Sequence, residues 1–321
     1  MWKSIAISLL TACAGVAAGW QKIEVESPHM GTLFRIIVYA QDQDEAAARA
    51  AIVLAYARIA ELDQKLSDYK PNSELNQLCR AAYAKPIPVS ADLFEVLQVA
   101  QSISNQSNGA FDVTVGPLVR LWRQARQNQQ LPAAETIATS RTHTGFHNVR
   151  LLAKNRSVKL LKPQMQLDLG GIAKGYAADQ AFKVLQQAGF SRSLVAASGD
   201  IRVGDAPPDR NAWHIALDPY SKGSTETIEL INQAVSTSGS AEQSFEAGGI
   251  RYSHILDPRS GLGLTTPIAV SVIASQGIFA DAWATAFSVL GPVGSVKIQR
   301  KLRGINVIFF DARVPLSKST R

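Results

Sequence analysis

The chain is poor in cysteine, with two in 321 residues, and that scarcity excludes a good deal. Cys13 lies in the N-terminal leader, so Cys79 stands alone or nearly so in the mature chain. A disulfide framework is thereby excluded, and so is a cysteine-based metal site. Histidines number only five. Charged residues make up 18% and are well mixed along the chain. The net charge of +7 is not gathered into a basic cluster interleaved with aromatics or a helix lined with Lys and Arg, so no nucleic-acid partner is expected. Fixed-period repeats, low-complexity stretches and a Pro/Ser-rich linker are absent as well. With 46% hydrophobic residues the chain can bury a sizeable core.

The uncharged run from Ser4 to Gly19 follows a short charged start at Met1 to Lys3. It falls short of the roughly 20 residues a membrane-spanning helix needs but suits the apolar region of an export signal. Leu10-Thr11-Ala12-Cys13 resembles a bacterial lipobox, whose cysteine is lipidated and becomes the new N-terminus. Cleavage at a small-residue site near Ala18 is the other reading, and it discards Cys13. The expected organisation is therefore an export signal over 1–19, as a lipoprotein signal peptide, followed by one domain over 20–321. The protein is expected on the periplasmic face of the inner membrane, held there by a lipid anchor alone.

Patterning predicts a strand at 33–39, β-branched and aromatic between turn signals. A helix opened by Asp44 and Glu45 carries Ile52, Ala55, Ile59, Leu62 and Leu66 on one face. Another starts near Ser90 as N-cap and stops at Asn108-Gly109. Short strands are expected at 149–152, 158–161, 165–169, 193–197, 213–217 and 269–273, with helices over 174–187 and 279–290. Helices and strands mingle without strict β-α-β alternation, which predicts an α+β fold.

Three stretches carry candidate chemistry. In Asp168-Leu169-Gly170-Gly171-Ile172-Ala173-Lys174-Gly175-Tyr176 a carboxylate, two glycines and a lysine lead into a helix. Glycines allow close approach of a phosphate, and the first helical amides point at it. The spacing is neither a Walker loop nor GxGxxG. In Ala280-Asp281-Ala282-Trp283-Ala284-Thr285, the carboxylate and hydroxyl four residues apart share a helical face and could meet one hard cation. In Tyr252-Ser253-His254-Ile255-Leu256-Asp257-Pro258-Arg259-Ser260-Gly261, His254 sits among polar turn formers, and histidine is the default general base near neutral pH. Each stretch read alone is more often a structural feature: a strand-to-helix turn, an acid opposing a helix dipole, a turn histidine. His29, His143, His147 and His214 have only the structural reading.

Together these stretches resemble the ApbE family of FAD:protein FMN transferases. His29-Met30-Gly31-Thr32 resembles the family's opening Met-Gly-Thr. Ser67-Asp68-Tyr69-Lys70-Pro71-Asn72-Ser73-Glu74-Leu75-Asn76 resembles its next loop and helix start. Gly109-Ala110-Phe111-Asp112-Val113-Thr114-Val115-Gly116-Pro117-Leu118, followed by Trp122, is similar to its most recognisable motif. The likeness runs over 23–308.

The resemblance implies a single T-fold-like domain with mixed sheets and packed helices. It implies Mg²⁺ held by Asp281, Thr285 and the Gly171 carbonyl. FAD, as substrate, would lie along Met30, Tyr69, Ala110, Phe111, Asp112, Asp168, Lys174 and Ile255, with His254 as proton acceptor. The implied activity is transfer of FMN from FAD to a Thr or Ser hydroxyl of an acceptor flavoprotein, with release of AMP. The acceptor would be a redox-complex subunit or an exported flavoprotein. An FAD pyrophosphatase releasing FMN and AMP, and a non-catalytic FAD-binding lipoprotein, are the rival readings. The family's Asn-x-Gly-Gly-Asp is replaced by Ala196-Ala197-Ser198-Gly199-Asp200, and its commoner Ser-Gly-Asp by Ser238-Gly239-Ser240.

Overall fold

The computed structural model describes residues 19–217, 227–239 and 244–311. The expected export signal with Cys13 lies outside these residues, as does Ser240. Strand β1 (Trp20–His29) and β2 (Thr32–Gln41) form the first hairpin. Its two-residue turn, Met30 and Gly31, has φ of 48° and 72°, the left-handed pair that matches the twist of the flanking strands. Helix α1 (Glu45–Leu66) buries Ile52, Ala55, Ile59, Leu62 and Leu66, the face read from the sequence. Helix α2 (Glu74–Ala81) and the short β3 (Ile87–Pro88) follow. Helix α3 (Ala91–Gln106) is capped by Ser90, whose hydroxyl accepts from the Leu93 amide at 3.2 Å. Two helices that the pattern did not predict come next, α4 (Gly116–Asn128) and α5 (Ala134–Thr142).

Strands β4 (Val149–Leu152) and β5 (Ser157–Leu160) join β3 in a small sheet. The strand expected at 165–169 does not form. The Leu167 amide donates to Cys79 Sγ and the Asp168 amide to the Val113 carbonyl, and only one isolated bridge, Val115 to Gln166, links this stretch to a neighbour. Its backbone groups are satisfied by a side chain and a loop instead of a ladder.

Helix α6 (Ala173–Gln187) leads into the adjacent β6 (Ser193–Ala197) and β7 (Asp200–Val203). Hairpin β8 (Trp213–Ala216) and β9 (Thr227–Leu230) precedes β10 (Ala234–Gly239). Two smaller hairpins follow, β11 (Ser244–Ala247) with β12 (Ile250–Ser253) and β13 (Leu256–Asp257) with β14 (Leu262–Gly263). Strand β15 (Ile268–Ala274), helix α7 (Gly277–Gln299) and β16 (Asn306–Asp311) close the described chain. In α7 the predicted end at Leu290 is a real break, because Gly291 has φ 65° and Pro292 cannot continue the hydrogen-bond ladder.

The main sheet runs β1-β2-β6-β7-β10-β15-β16, every pairing antiparallel. The class is α+β, as expected, and among the described residues the mingling of parallel with antiparallel strands shrinks to the Val115–Gln166 bridge. One sheet face, with Phe34, Ile36, Val195, Val270 and Val272, packs on the helices in the larger core. The other carries Ile37, Leu194, Ala196 and Val235 against Trp213 and Ile215. Ala196, where the family has Asn, is thus part of an apolar core. No helix among the described residues is long and apolar enough to cross a membrane.

Ser198, in the β6–β7 turn where the family has Gly, sits at φ 56°. A left-handed conformation costs an L-residue about 1–2 kcal/mol, and glycine's extra chain entropy returns about 0.5–1 kcal/mol of that. Ser198→Gly is therefore expected to stabilise the fold by roughly 0.5–1 kcal/mol in urea denaturation. A loss of stability would mean that the serine side chain offsets its backbone strain. Its neighbour Gly199 is required for another reason: a Cβ there would lie 2.7 Å from the Thr237 carbonyl oxygen.

Candidate active site

The site is built where α6 and α7 begin. The turn 170–172 enters α6, and the Gly171 backbone lies against Thr285. A Cβ on Gly171 would sit 2.7 Å from the Thr285 hydroxyl oxygen. One turn earlier on α7, Asp281 is buried, and its Oδ2 accepts from the Gly175 amide at 3.0 Å. The helices touch backbone to backbone, since a Cβ on Gly175 would lie 2.2 Å from the Gly277 carbonyl oxygen. Only glycine fits at that crossing. Gly171, Asp281 and Thr285, separated by about a third of the chain, are brought together.

Burial, and then the nearby Asp200 carboxylate, push the Asp281 carboxyl up to about 7, against the pull of Lys174 and of the Gly175 and Lys174 amides. The Lys174 ammonium pairs with Asp200, which also accepts from the Ser236 hydroxyl. Two buried carboxylates around one lysine leave a locus of negative potential, which a cation relieves. A buried carboxylate and a hydroxyl one helical turn apart form a hard oxygen donor pair suited to magnesium. The described residues hold no group of three or more His, Cys, Asp or Glu that could bind a metal. The residues present fit Mg²⁺.

Upstream of the same turn, Asp168 Oδ1 accepts from the Gly170 amide at 2.8 Å and Oδ2 from Arg123 at 3.0 Å. Arg123 also pairs with Asp68 and lies 4.0 Å above the centre of the Tyr69 ring, a cation–π contact. Burial, then the Asp68 charge, raise the Asp168 carboxyl to about 6, with Arg123 opposing. Tyr69 is 70% exposed, so an aromatic face stands open to solvent beside a charged cluster.

The other predicted residues lie on the first hairpin, on the loop before α4 and on the turn between β12 and β13. Ala110, Phe111 and Asp112 are buried. Both Asp112 carboxylate oxygens are used locally, Oδ1 by the Thr114 amide and hydroxyl and Oδ2 by the Phe146 amide. Asp112 therefore braces its own loop. Met30 occupies the left-handed turn of the first hairpin, next to His29, whose ring stacks on Tyr56 of α1. His254 is exposed between β12 and β13. Its flanks are fixed: the Ser253 amide donates to the Leu264 carbonyl at 2.8 Å, and the Leu264 amide donates to the Ile255 carbonyl at 2.9 Å. This hairpin rests on α4, where Trp122 Nε1 donates to the Gly261 carbonyl at 2.8 Å.

A model of the ApbE family matches residues 30–309. The chain belongs to the ApbE family. An FAD:protein FMN transferase from Klebsiella pneumoniae is 32% identical over 85% of this chain and 79% of its own length. Another from Treponema pallidum is 32% identical, over 90% and 84%. The apo flavinyl transferase ApbE of Pseudomonas stutzeri superposes with a TM-score of 0.80 at 29% identity, covering 90% of this chain and 91% of that one. The ApbE protein of Thermotoga maritima gives the same score at 30% identity, covering 90% and 94%.

Within this ApbE chain two site residues escaped the sequence reading. Arg123 directly follows the recognised Trp122, yet nothing local shows that it spans Asp68 and Asp168. Asp200 closes the altered Asn-x-Gly-Gly-Asp motif, and its partnership with Lys174 appears only in the fold.

Proposed function

We propose that this protein is a magnesium-dependent FAD:protein FMN transferase. The observation that carries the reading is the convergence of Gly171, Asp281 and Thr285, beside an exposed Tyr69, in a chain of the ApbE family. Asp281, Thr285 and the Gly171 carbonyl would hold the ion. When bound, magnesium supplies charge neutralisation at the pyrophosphate of FAD. Tyr69 offers a stacking face to the flavin, and Lys174 at the start of α6 brings a positive charge for its phosphates.

An acceptor threonine or serine hydroxyl attacks the phosphorus of the FMN half. Its proton passes to His254, the phosphoanhydride bond to the AMP half breaks, and AMP leaves. His254 suits this task because it is exposed, on a turn fixed by flanking hydrogen bonds, where a protein substrate can reach it.

The test is incubation with FAD and magnesium, with and without an acceptor peptide containing an exposed threonine. Flavin fluorescence that stays with the peptide in a denaturing gel supports transfer. Free FMN regardless of peptide would make the protein an FAD pyrophosphatase, and intact FAD would make it a flavin-binding protein only.

The leader supports export and lipidation at Cys13, which would place the enzyme at the periplasmic membrane face beside exported acceptors. Cys13→Ser is expected to move the protein from the membrane fraction to the soluble periplasmic fraction. A wild-type protein that is already soluble would indicate cleavage near Ala18 instead.

A further inference from the structure

We infer that Asp179 is a positioning residue for the metal site, acting from α6 on the start of α7. The inference rests on the reading of Asp281 and Thr285 as ion ligands. The first amides of a helix need acceptors from outside it, and α7 has none from its own N-cap, since Gln276 makes no side-chain cap bond. The acceptor comes instead from the neighbouring helix. Asp179 Oδ1 accepts from the Gly277 amide at 2.7 Å, and Oδ2 from the Ile278 amide at 2.9 Å. Arg202, which lies over the Phe182 ring, approaches the same carboxylate at 3.5 Å.

Asp179 follows Gly175 by one helical turn, so the two occupy one face of α6. Gly175 meets Gly277 backbone to backbone, and its amide binds Asp281. The face of α6 thus grips α7 at successive levels, at its first amides and at Asp281. Those grips fix how far α7 is advanced along α6, and hence where Asp281 and Thr285 stand relative to Gly171. Without the Asp179 cap the first turn of α7 can fray, and the ligand set loses its fixed spacing while keeping all its donors.

The experiment is titration of Mn²⁺ into the purified protein, following free Mn²⁺ by electron paramagnetic resonance, beside labelling of an acceptor peptide as a function of Mg²⁺. Asp179→Ala is expected to weaken Mn²⁺ binding on the order of tenfold, as loss of outer supports commonly does. Asp179→Asn, which keeps one acceptor oxygen, should lose less. Saturating Mg²⁺ should return labelling by both variants to within a few-fold of wild type. Ile59→Val, a core substitution on α1, serves as a control that loses stability without this shift. Wild-type Mn²⁺ affinity in Asp179→Ala, with Asp281→Ala binding none, would overturn the inference and leave the ligand reading standing. Wild-type affinity in Asp281→Ala would overturn the ligand reading, and the inference with it.

Discussion

Asp281→Ala is expected to lower the rate of flavin transfer by at least about 10³-fold at millimolar magnesium, which corresponds to roughly 4 kcal/mol of transition-state stabilisation. The substitution removes the one charged donor of an oxygen-only site, and charge neutralisation at a pyrophosphate is the main service a protein can offer phosphoryl transfer. Thr285→Val removes a neutral donor and should act more mildly, shifting the magnesium requirement more than the maximal rate. The fold should survive both. Burial and Asp200 raise the Asp281 carboxyl to about 7, so in the metal-free protein it binds its proton more tightly folded than unfolded. The stability this contributes is present below the unfolded value near 4 and is lost as pH rises through about 7. Asp281→Asn, which never ionises, should therefore leave the metal-free protein no less stable than wild type at pH 8 and flatten that dependence. Measuring Tm with EDTA at pH 5 and pH 8, alongside labelling rates, checks both parts. A variant that is inactive and also unfolded at pH 8 would make Asp281 a structural residue.

Local pattern was enough wherever local physics decides. The faces of α1 and α3, the Ser90 cap and the break at Gly291-Pro292 all follow from residues within a turn or two of one another. The 165–169 stretch has a strand's composition, but its amides are claimed by Cys79 and Val113, which no local rule can anticipate. Helix α4 buries Leu118, Trp122 and Ala125 at helical spacing, but Gly116 and Pro117 at its start are turn formers that mask the helix in the local pattern. In the site, the sharing of one face by Asp281 and Thr285 is legible from four-residue spacing, whereas the placement of Gly171 against them had only the resemblance behind it. Arg123 and Asp179 are harder still. Their partners lie 55 and 45 residues away for Arg123, and 98 and 99 for Asp179, so their roles exist only once the chain has folded.

The second large effect is expected at His254, and its form matters as much as its size. His254→Asn should slow single-turnover labelling of an acceptor peptide by on the order of 10²-fold or more, within the usual range for a general base, while FAD affinity stays within a few-fold of wild type. The split follows from position and chemistry together. His254 is exposed, whereas the neighbouring Ile255 is buried, so the histidine can be reached by a protein acceptor. A hydroxyl is a poor nucleophile until its proton has somewhere to go. That transfer happens in the transition state, so losing the base costs rate and spares the ground-state complex. Asparagine keeps a polar side chain of similar reach but takes no proton near neutral pH. The backbone bonds that hold the turn, from Ser253 and to Ile255 through Leu264, run through main-chain atoms that the substitution leaves in place. Titrating FAD by flavin fluorescence and timing the labelling on the same preparation separates the outcomes. Equal losses in both would make His254 a binding residue, and an unchanged labelling rate would hand proton removal to another group.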